Sequence, residues 1–238
     1  MKEVDAMLQV LRSAERGFAD HGWLKSYHTF SFADYHNPER VHFGPLRVIN
    51  DDYVAPGQGF GKHGHRDMEI LTYILEGELE HKDSMGNGSV IRPGDLQRMS
   101  AGTGVLHSEF NPSATQQVHL LQVWIMPAAE RLAPGYEQKH FTSADKRGHL
   151  RLIAAPAGEQ GAVAINQDAR VYAGLFTGNE SQTFTVAAGR RAWVHLARGA
   201  LTVNEVQLAA GDAGYVAGPI DLKLHDGRDA EVLLFDLP

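Results

Sequence analysis

Residues 68–77 read Met-Glu-Ile-Leu-Thr-Tyr-Ile-Leu-Glu-Gly, an apolar stretch that ends at a glycine. Alternate side chains of an extended chain point to opposite faces, and here both faces are largely apolar. A strand that is apolar on both faces is buried on both sides. Gly77 then permits a tight turn. This stretch therefore predicts a strand inside a closed double sheet.

Four further short runs are rich in Val, Ile, Leu and aromatic residues, and Gly, Pro, Asn or Asp bound them. They are residues 46–49, 90–91, 96–99 and 118–125. The chain contains 25 Gly and 10 Pro among its 238 residues, and these residues separate such runs along its whole length. This is typical of a sandwich or barrel, so the sequence predicts an all-β fold in which helix is the minor state.

The second half of the chain repeats the pattern of the first half. Residues 74–79 match residues 196–201 in kind when Gly77 is placed opposite Gly199, and Pro-Gly-Asp at 93–95 then matches Ala-Gly-Asp at 210–212. We therefore expect two related β-domains. The predicted boundaries are an N-terminal domain at 1–135, a linker at 136–147 and a C-terminal domain at 148–238.

Composition excludes several classes of function. Lys and Arg number 22 against 29 Asp and Glu, and the net charge of −7 argues against direct nucleic-acid binding. The absence of Cys excludes disulfides, Cys-based zinc sites, iron–sulfur clusters and cysteine nucleophiles. Residues 1–10 lack the apolar core of a signal peptide, and no apolar run approaches the roughly 20 residues of a membrane span. We expect a soluble cytoplasmic protein without membrane contact.

Two short segments carry the spacing of metal ligands. In an extended chain His63 and His65 project to one face, and so do His107 and Glu109. A lone His-x-His is more often a solvated or hydrogen-bonded pair than a metal site. Glycines precede both pairs, however, and permit tight strand ends that bring two hairpins together. The two segments together predict a site of three imidazoles and one carboxylate.

These segments resemble the two conserved motifs of cupins. Residues 57–69 follow the pattern Gly-x5-His-x-His-x3-Glu of the first motif, and residues 104–111 follow the pattern Gly-x2-His-x3-Asn of the second. The chain departs from the family pattern at two places. Seven residues instead of six separate Glu69 from Gly77, and Gly102 stands where a proline is usual. Both departures concern turns and leave the ligand positions intact.

Within the cupins the chain resembles the pirins, the branch with two cupin domains. The similarity is carried by residues 20–24 (Asp-His-Gly-Trp-Leu), 28–32 (His-Thr-Phe-Ser-Phe), 65–70 (His-Arg-Asp-Met-Glu-Ile) and 81–87 (His-Lys-Asp-Ser-Met-Gly-Asn). It covers residues 15–127 and is looser afterwards. It implies two jelly-roll β-sandwich domains, of which only the N-terminal one binds metal.

The resemblance also implies which residues bind the metal. Carried over to this chain, the ligands of the family are His63, His65, His107 and Glu109. Glu69, a ligand in many other cupins, is then expected to orient a ligand imidazole. Six other histidines are expected at surface or hydrogen-bonding positions, namely His36, His42, His81, His119, His140 and His149, and His195 and His225 at half-buried or surface positions. His21 and His28 belong with Trp23, Phe30 and Phe32 to an aromatic set for which a core position is expected more often than a place in the pocket.

The second repeat lacks the ligands. Thr185 and Ala187 stand at the positions that correspond to His63 and His65, and Gly227 stands two residues after His225 where a ligand carboxylate would be needed. We therefore expect a degenerate cupin domain with a structural role.

Similarity to pirins implies a flavonol 2,3-dioxygenase that opens the heterocycle of substrates such as quercetin with O₂ and releases carbon monoxide. Glu109 would be both a ligand and the base that accepts the proton of the flavonol hydroxyl. The expected cofactor is one divalent metal ion, with Fe(II) favoured and Mn, Co, Ni, Cu or Zn as alternatives. The expected partners are a small flat polyphenol in an apolar pocket and O₂.

Two other functions stay open. One is a non-enzymatic, iron-dependent regulator whose oxidation state controls binding to a protein partner, a role also associated with pirins. The other is an isomerase or a sugar-binding cupin.

Two fused β-domains can replace the dimer that single-domain relatives need, so we expect a monomer.

Overall fold

The computed structural model describes residues 7–238. Residues 1–6 belong to the segment that is expected to lack a signal peptide, and they lie outside the described residues. In chain order the strands are β1 (Gln9–Leu11), β2 (Gly17–Asp20), β3 (Leu24–His28), β4 (Leu46–Val54), β5 (Gly59–His65), β6 (Glu69–Glu76), β7 (Leu79–Asp83), β8 (Gly88–Ile91), β9 (Asp95–Ser100), β10 (Val105–Phe110), β11 (Val118–Ile125), β12 (Gly135–His140), β13 (Leu150–Pro156), β14 (Val163–Ile165), β15 (Arg170–Phe176), β16 (Gln182–Val186), β17 (Arg191–Val203), β18 (Val206–Ala209), β19 (Ala213–Ala217) and β20 (Ile220–Leu237).

Helix is confined to short segments of the described chain. These are α1 (Ser143–Lys146) and two 3₁₀ turns, Ser13–Glu15 and Glu159–Gly161. The predicted all-β class is confirmed. Among residues 7–238, no helix has the length and apolar character that crossing a membrane requires.

The five strands predicted from apolar runs are confirmed as β4, β6, β8, β9 and β11. Strand β6 is buried at every position from Glu69 to Leu75, so both of its faces are covered as expected. It lies between β9 and β11 in the interior of its sheet. The continuous apolar run therefore reflects burial on two sides.

The chain divides into two compact units. The N-terminal unit comprises residues 16–141 and 155–167, and the C-terminal unit comprises residues 7–15, 142–154 and 168–238. These bounds differ from the expected division at 135 and 148. Strand β1 pairs with β19, which assigns the start of the described chain to the C-terminal unit. Residues 136–147, expected to be a linker, contain most of β12, which pairs with β9, and the helix α1, which begins after the cap Thr142.

The N-terminal unit contains two sheets. One has seven strands in the order β12-β9-β6-β11-β4-β3-β2, and the other has four in the order β5-β10-β7-β8. Side chains from both sheets form one apolar cluster, which includes Ile74, Leu79, Ile91 and Leu120. The sheets therefore pack face to face as a sandwich, and side chains on their inner faces meet.

The C-terminal unit is built on a sheet in the order β1-β19-β17-β20-β15-β13, with β18 beside β17 and β16 beside β20. Its core contains Phe176, Val194, Leu222 and Leu234. Gly77 and Gly199 both have positive φ, at 74° and 70°, but they serve different structures. Gly77 separates β6 from β7, whereas Gly199 lies inside β17, where a Cβ would come within 2.2 Å of the Arg228 carbonyl oxygen.

Candidate metal centre

Strands β5 and β10 bring three of the predicted ligands together. The strands pair antiparallel with His63 directly opposite His107, and His65 lies two residues further on the same strand. The ring centroids are 4.4 Å apart for His63 and His107, and 4.8 Å apart for His65 with either of the other two. One ring nitrogen from each lies within 4.8 Å of the others, a group that can hold a metal ion.

The environment keeps two of these imidazoles uncharged. Burial, with the neighbouring His63, lowers the pKa of His65 to about 4. Burial, with His63 and His65 next in effect, lowers the pKa of His107 to about 3. Metal ions bind neutral imidazole through its lone pair. Both rings are therefore in the form that binds metal at neutral pH.

The hydrogen bonds of the rings fit a bound cation. The Nδ1 of His63 lies 2.7 Å from the carbonyl oxygen of Gly61, which only accepts, so Nδ1 carries the proton and Nε2 keeps its lone pair. His107 is 2% exposed, and neither of its ring nitrogens has a hydrogen-bond partner among the described residues. A buried polar atom without a partner is costly, and a divalent ion would satisfy it.

Glu109 is held from the opposite sheet. Gln122 on β11 donates from Nε2 to Oε2 of Glu109 at 3.1 Å, and Thr72 on β6 lies 3.5 Å from Oε1. Burial raises the pKa of the Glu109 carboxyl to about 7, although both contacts act to lower it. The carboxylate belongs to a second group with His107 and His81, whose ligand atoms also lie within 4.8 Å of one another. Three of the predicted ligands thus form one group, and Glu109 belongs to a second group that shares His107 with the first.

His81 is a feature that the sequence analysis missed. It was expected at a surface or hydrogen-bonding position. It does have a hydrogen-bond partner in Asp83, but its side chain is fully buried and lies opposite Glu109 in the pairing of β7 with β10. Its Nε2 lies 3.2 Å from Asp83, and its ring centroid is 5.3 Å from that of His107. Its Nδ1 has no hydrogen-bond partner among the described residues. The signal in the sequence was the two-residue spacing of His81 and Asp83, which makes both side chains project inward from β7.

The structure corrects the expected role of Glu69. Its carboxylate accepts hydrogen bonds from Ser100 at 2.8 Å and from Nδ2 of Asn166 at 3.1 Å, and it has no hydrogen bond to a histidine among the described residues. It lies at the start of β6 opposite Ser100 on β9. Glu69 therefore links β6 and β9 to the segment that carries Asn166. It does not orient a ligand imidazole.

A cavity of about 740 Å³ opens beside the histidines. His63, His65, Glu109 and Gln122 contribute to its wall. Its aromatic lining residues are Phe18, Trp23, Phe32, Tyr35, Phe60 and Trp124. The volume and the apolar lining are typical of a site for a small organic ligand. The sequence predicted an apolar aromatic pocket but not which side chains would line it.

In the C-terminal unit the positions that correspond to the ligand histidines have other contacts. The hydroxyl of Thr185 donates to Asp221 at 2.6 Å. His225 lies between Asp226 and the carbonyl oxygen of Asn204, at 2.8 and 2.9 Å. Both groups of possible metal ligands found in residues 7–238 belong to the N-terminal unit.

Comparison with known proteins agrees with this architecture. The family model described as Pirin matches residues 10–125, and the model described as quercetinase C-terminal cupin domain matches residues 152–237. A protein of Escherichia coli strain K12 named quercetin 2,3-dioxygenase is 45% identical over 98% of this chain and 99% of its own length. A protein of Pasteurella multocida named putative quercetin 2,3-dioxygenase is also 45% identical, over 97% of this chain and 100% of its own length.

Two solved structures show the same fold. The bacterial pirin YhhW of Escherichia coli in complex with nickel(II) superposes with a TM-score of 0.92 at 44% identity and covers 98% of this chain and 99% of its own. Quercetin 2,3-dioxygenase of Acinetobacter baumannii has a TM-score of 0.78 at 24% identity, with 97% and 86% covered, and supports the fold alone. The chain therefore belongs to the pirin family of metal-binding, two-domain cupins, and its relatives place it with the quercetin 2,3-dioxygenase-like enzymes.

Proposed function

We propose that this chain is a metal-dependent dioxygenase that opens the heterocycle of flavonols such as quercetin with O₂ and releases carbon monoxide. The observation that carries the proposal is the convergence of His63, His65 and His107 at an apolar, aromatic cavity to which Glu109 also contributes. The names of the relatives in E. coli and P. multocida support the same substrate class.

The metal ligands in this proposal are His63, His65, His107 and Glu109. One divalent ion fits these nitrogen and oxygen donors, and imidazole suits Fe, Ni, Cu and Zn, while carboxylate also suits Mn. Fe(II) is our first assignment, and the nickel(II) complex of the related pirin makes nickel the first alternative to test. When bound, the ion supplies positive charge that favours an ionised substrate hydroxyl and a centre for chemistry with O₂.

Glu109 acts as the base in this proposal. Its carboxylate takes the proton of the flavonol hydroxyl onto an Oε atom, so that the substrate reacts as the enolate. In the metal-free chain burial raises the pKa of Glu109 to about 7. A bound divalent ion would favour the ionised carboxylate, which is the form that accepts a proton. Gln122 holds the carboxylate in place, and the aromatic walls exclude water and stack on a flat polyphenol.

Oxygen uptake tests the proposal. Protein loaded separately with Fe(II), Mn, Co, Ni, Cu or Zn should consume O₂ with quercetin and release carbon monoxide in at least one metal form. Glu109→Ala should lower the rate 10²-fold or more, as expected for the loss of a positioned base. His225→Asn, in the C-terminal unit, should leave the rate unchanged. Inert protein in every metal form would exclude the dioxygenase.

The second candidate is the iron-dependent regulator that binds a protein partner, and one feature of β10 favours it. Glu109 and His107 point inward from this strand, whereas Leu106 and Phe110 point outward and are 46% and 39% exposed. A change in the oxidation state of the ion could therefore alter an exposed apolar face, because the inward and outward side chains belong to the same strand. A partner that binds only the oxidised iron form, with no turnover in any metal form, would support this alternative.

Three further assignments are part of the proposal. We infer that the chain acts as a monomer, which sedimentation at several protein concentrations would test. We also infer that it is cytoplasmic, which fractionation of its host would test, and that it makes no direct contact with nucleic acid, which its net charge of −7 supports.

A further inference from the structure

A row of polar side chains crosses the seven-stranded sheet beneath the cavity. His28 on β3 lies opposite Asn50 on β4, Asn50 lies opposite Gln122 on β11, and Gln122 lies opposite Thr72 on β6. Directly opposed residues share a face, so these four side chains point the same way. One end of the row, Gln122 and Thr72, contacts Glu109. The other end therefore needs a separate explanation.

At that end four polar residues form what we call the β3–β4 cluster, namely Ser26, His28, Asn50 and Asp52. All four are buried, and all four contribute to the wall of the cavity. Elsewhere the wall beside them is aromatic, with Phe18, Trp23 and Phe32. Polar groups in an apolar wall usually fix the orientation of a ligand.

The internal hydrogen bonds of the cluster leave two acceptor atoms open. Nδ1 of His28 lies 2.8 Å from Oδ1 of Asn50, which only accepts, so Nδ1 carries the proton and Nε2 keeps a lone pair. Ser26 donates its hydroxyl proton to Oδ1 of Asp52. Among the described residues, Nε2 of His28 and Oδ2 of Asp52 have no hydrogen-bond partner. Both residues line the cavity, so a ligand that fills it would remove these two atoms from water, and they would then need a donor.

We propose that the β3–β4 cluster is a second recognition subsite that binds a phenolic hydroxyl of the substrate, a hydroxyl other than the one that meets the metal. The hydroxyl donates to Nε2 of His28 or to Oδ2 of Asp52 in its ionised form. This assignment rests on the proposed function, because it divides the hydroxyls of one polyphenol between the metal centre and the cluster.

Electrostatics agrees with a subsite of this kind. Burial, opposed by the hydrogen bond to Asn50, lowers the pKa of His28, so its ring is a neutral acceptor at pH 7. The remaining ring contacts of His28 are with Phe32 and Tyr35, at centroid distances of 5.4 and 6.2 Å. The imidazole is thus fixed between aromatic rings, with its acceptor as the available polar atom.

The chemistry of the subsite selects for hydroxyl donors. A ligand that lacks the second hydroxyl leaves the buried acceptors unpaired, and a methyl ether at that place removes the donor and adds bulk. Sites that hydrogen-bond a substrate hydroxyl discriminate strongly against analogues without it. We expect flavonols with hydroxyls outside the heterocycle to bind tightly and 3-hydroxyflavone, which keeps only the hydroxyl for the metal, to bind weakly.

Anaerobic binding to the metal-loaded full chain tests this subsite without turnover. Quenching of tryptophan fluorescence suits the measurement because Trp23 and Trp124 line the cavity. Unaltered protein should bind quercetin at least tenfold more tightly than 3-hydroxyflavone. His28→Gln and Asp52→Asn should weaken quercetin binding about tenfold and change 3-hydroxyflavone binding less than twofold. Both variants should keep the metal content of the unaltered protein.

His119→Gln is the matched control. His119 is also buried in this sheet, but it contacts Asp51 at 2.7 Å and stacks on Tyr53 at 4.0 Å, and it does not line the cavity. This variant should preserve the preference for quercetin. Equal affinities for the two ligands in the unaltered protein, or an unchanged preference in both variants, would overturn the subsite while quercetin turnover still supports the dioxygenase. Failure of the unaltered protein to bind quercetin in any metal form would overturn both.

Discussion

Glu109 shows how single side chains prepare the site. It lies on the small sheet, but the groups that hold it lie on the large one, with Nε2 of Gln122 at 3.1 Å and Oγ1 of Thr72 at 3.5 Å. The carboxylate is 2% exposed. A buried carboxylate keeps a defined orientation only where donors fix it. The position of the proposed base therefore depends on residues outside the ligand set.

Gln122→Leu tests this dependence. The substitution removes the donor to Oε2 of Glu109 and leaves that oxygen unpaired, so the free energy of unfolding of the metal-free protein should fall by about 1–3 kcal/mol. Urea unfolding measures the change. Gln116→Leu, at an exposed position before the same strand, should cost less than about 0.5 kcal/mol. Equal costs for the two variants would show that the amide does not support Glu109.

Asp52 gives a pH dependence of stability. Burial raises its pKa to about 7 from an ordinary value of 3.8, so the folded chain binds this proton more tightly than the unfolded chain does. The contribution to folding is full below pH 3.8 and is lost as the pH rises to about 7. The loss amounts to about 4 kcal/mol for a fully buried group.

Asp52→Asn should therefore remove part of the pH dependence. Between pH 4 and pH 8 the free energy of unfolding of the metal-free variant should fall less than that of the unaltered protein. At pH 8 the variant should therefore be the more stable of the two. Denaturant unfolding at the two pH values measures it. Parallel curves for the two proteins would contradict a raised pKa at Asp52.

At the scale of elements, the pairing of β5 with β10 sets the geometry of the histidines. The register opposes His63 to His107 and then shifts, so that Glu109 lies opposite Phe60. Gly59 lies where the two backbones approach closely, because a Cβ there would come within 2.2 Å of the Glu109 carbonyl oxygen. A glycine at this position lets the strands meet.

Gly59→Ala should separate β5 from β10 and weaken metal binding at least tenfold, with a loss of stability of about 1–3 kcal/mol from overpacking. Competition with a coloured chelator measures the affinity. Gly61→Ala is the matched control, because a Cβ at Gly61 meets no atom within 4 Å. Equal affinities for the two variants would show that this close approach does not position the ligands.

At the scale of the whole molecule, two cupin domains carry different side chains at the positions that correspond in sequence. The N-terminal unit carries His63 and His65, while Thr185 and Ala187 occupy the matching positions of the C-terminal unit. The C-terminal unit still has a full apolar core, with Val194, Leu222 and Leu234 completely buried. The packing of this unit therefore does not depend on metal-ligating histidines at these positions.

Metal content tests the division between the units. The full chain should bind one divalent ion, because the proposed ligands occur once. Replacing His63 and His65 by Asn should abolish binding, and His225→Asn should retain it. Elemental analysis after dialysis gives the stoichiometry. Loss of metal in His225→Asn would assign a metal site to the C-terminal unit.

The sequence by itself determined what depends on local periodicity and residue chemistry. Apolar runs such as 68–75 specify strands because a buried strand needs apolar side chains on both faces. The two-residue spacing of His63 and His65 places both imidazoles on one face in any extended chain. The all-β fold and the convergence of the three histidines were predictable for these reasons.

The tertiary structure decided what depends on which strands become neighbours. His81 lies beside His107 and Glu109 because β7 pairs with β10, and Glu69 lies beside Asn166, almost 100 residues away in the chain. The cavity wall that includes Asp52 and the contact of Gln122 with Glu109 arise from the packing of one sheet on another. The spacing of residues along the chain does not predict such contacts. They depend on how the strands pack, and the main favourable free energy of packing comes from the apolar surface that the whole folded unit buries.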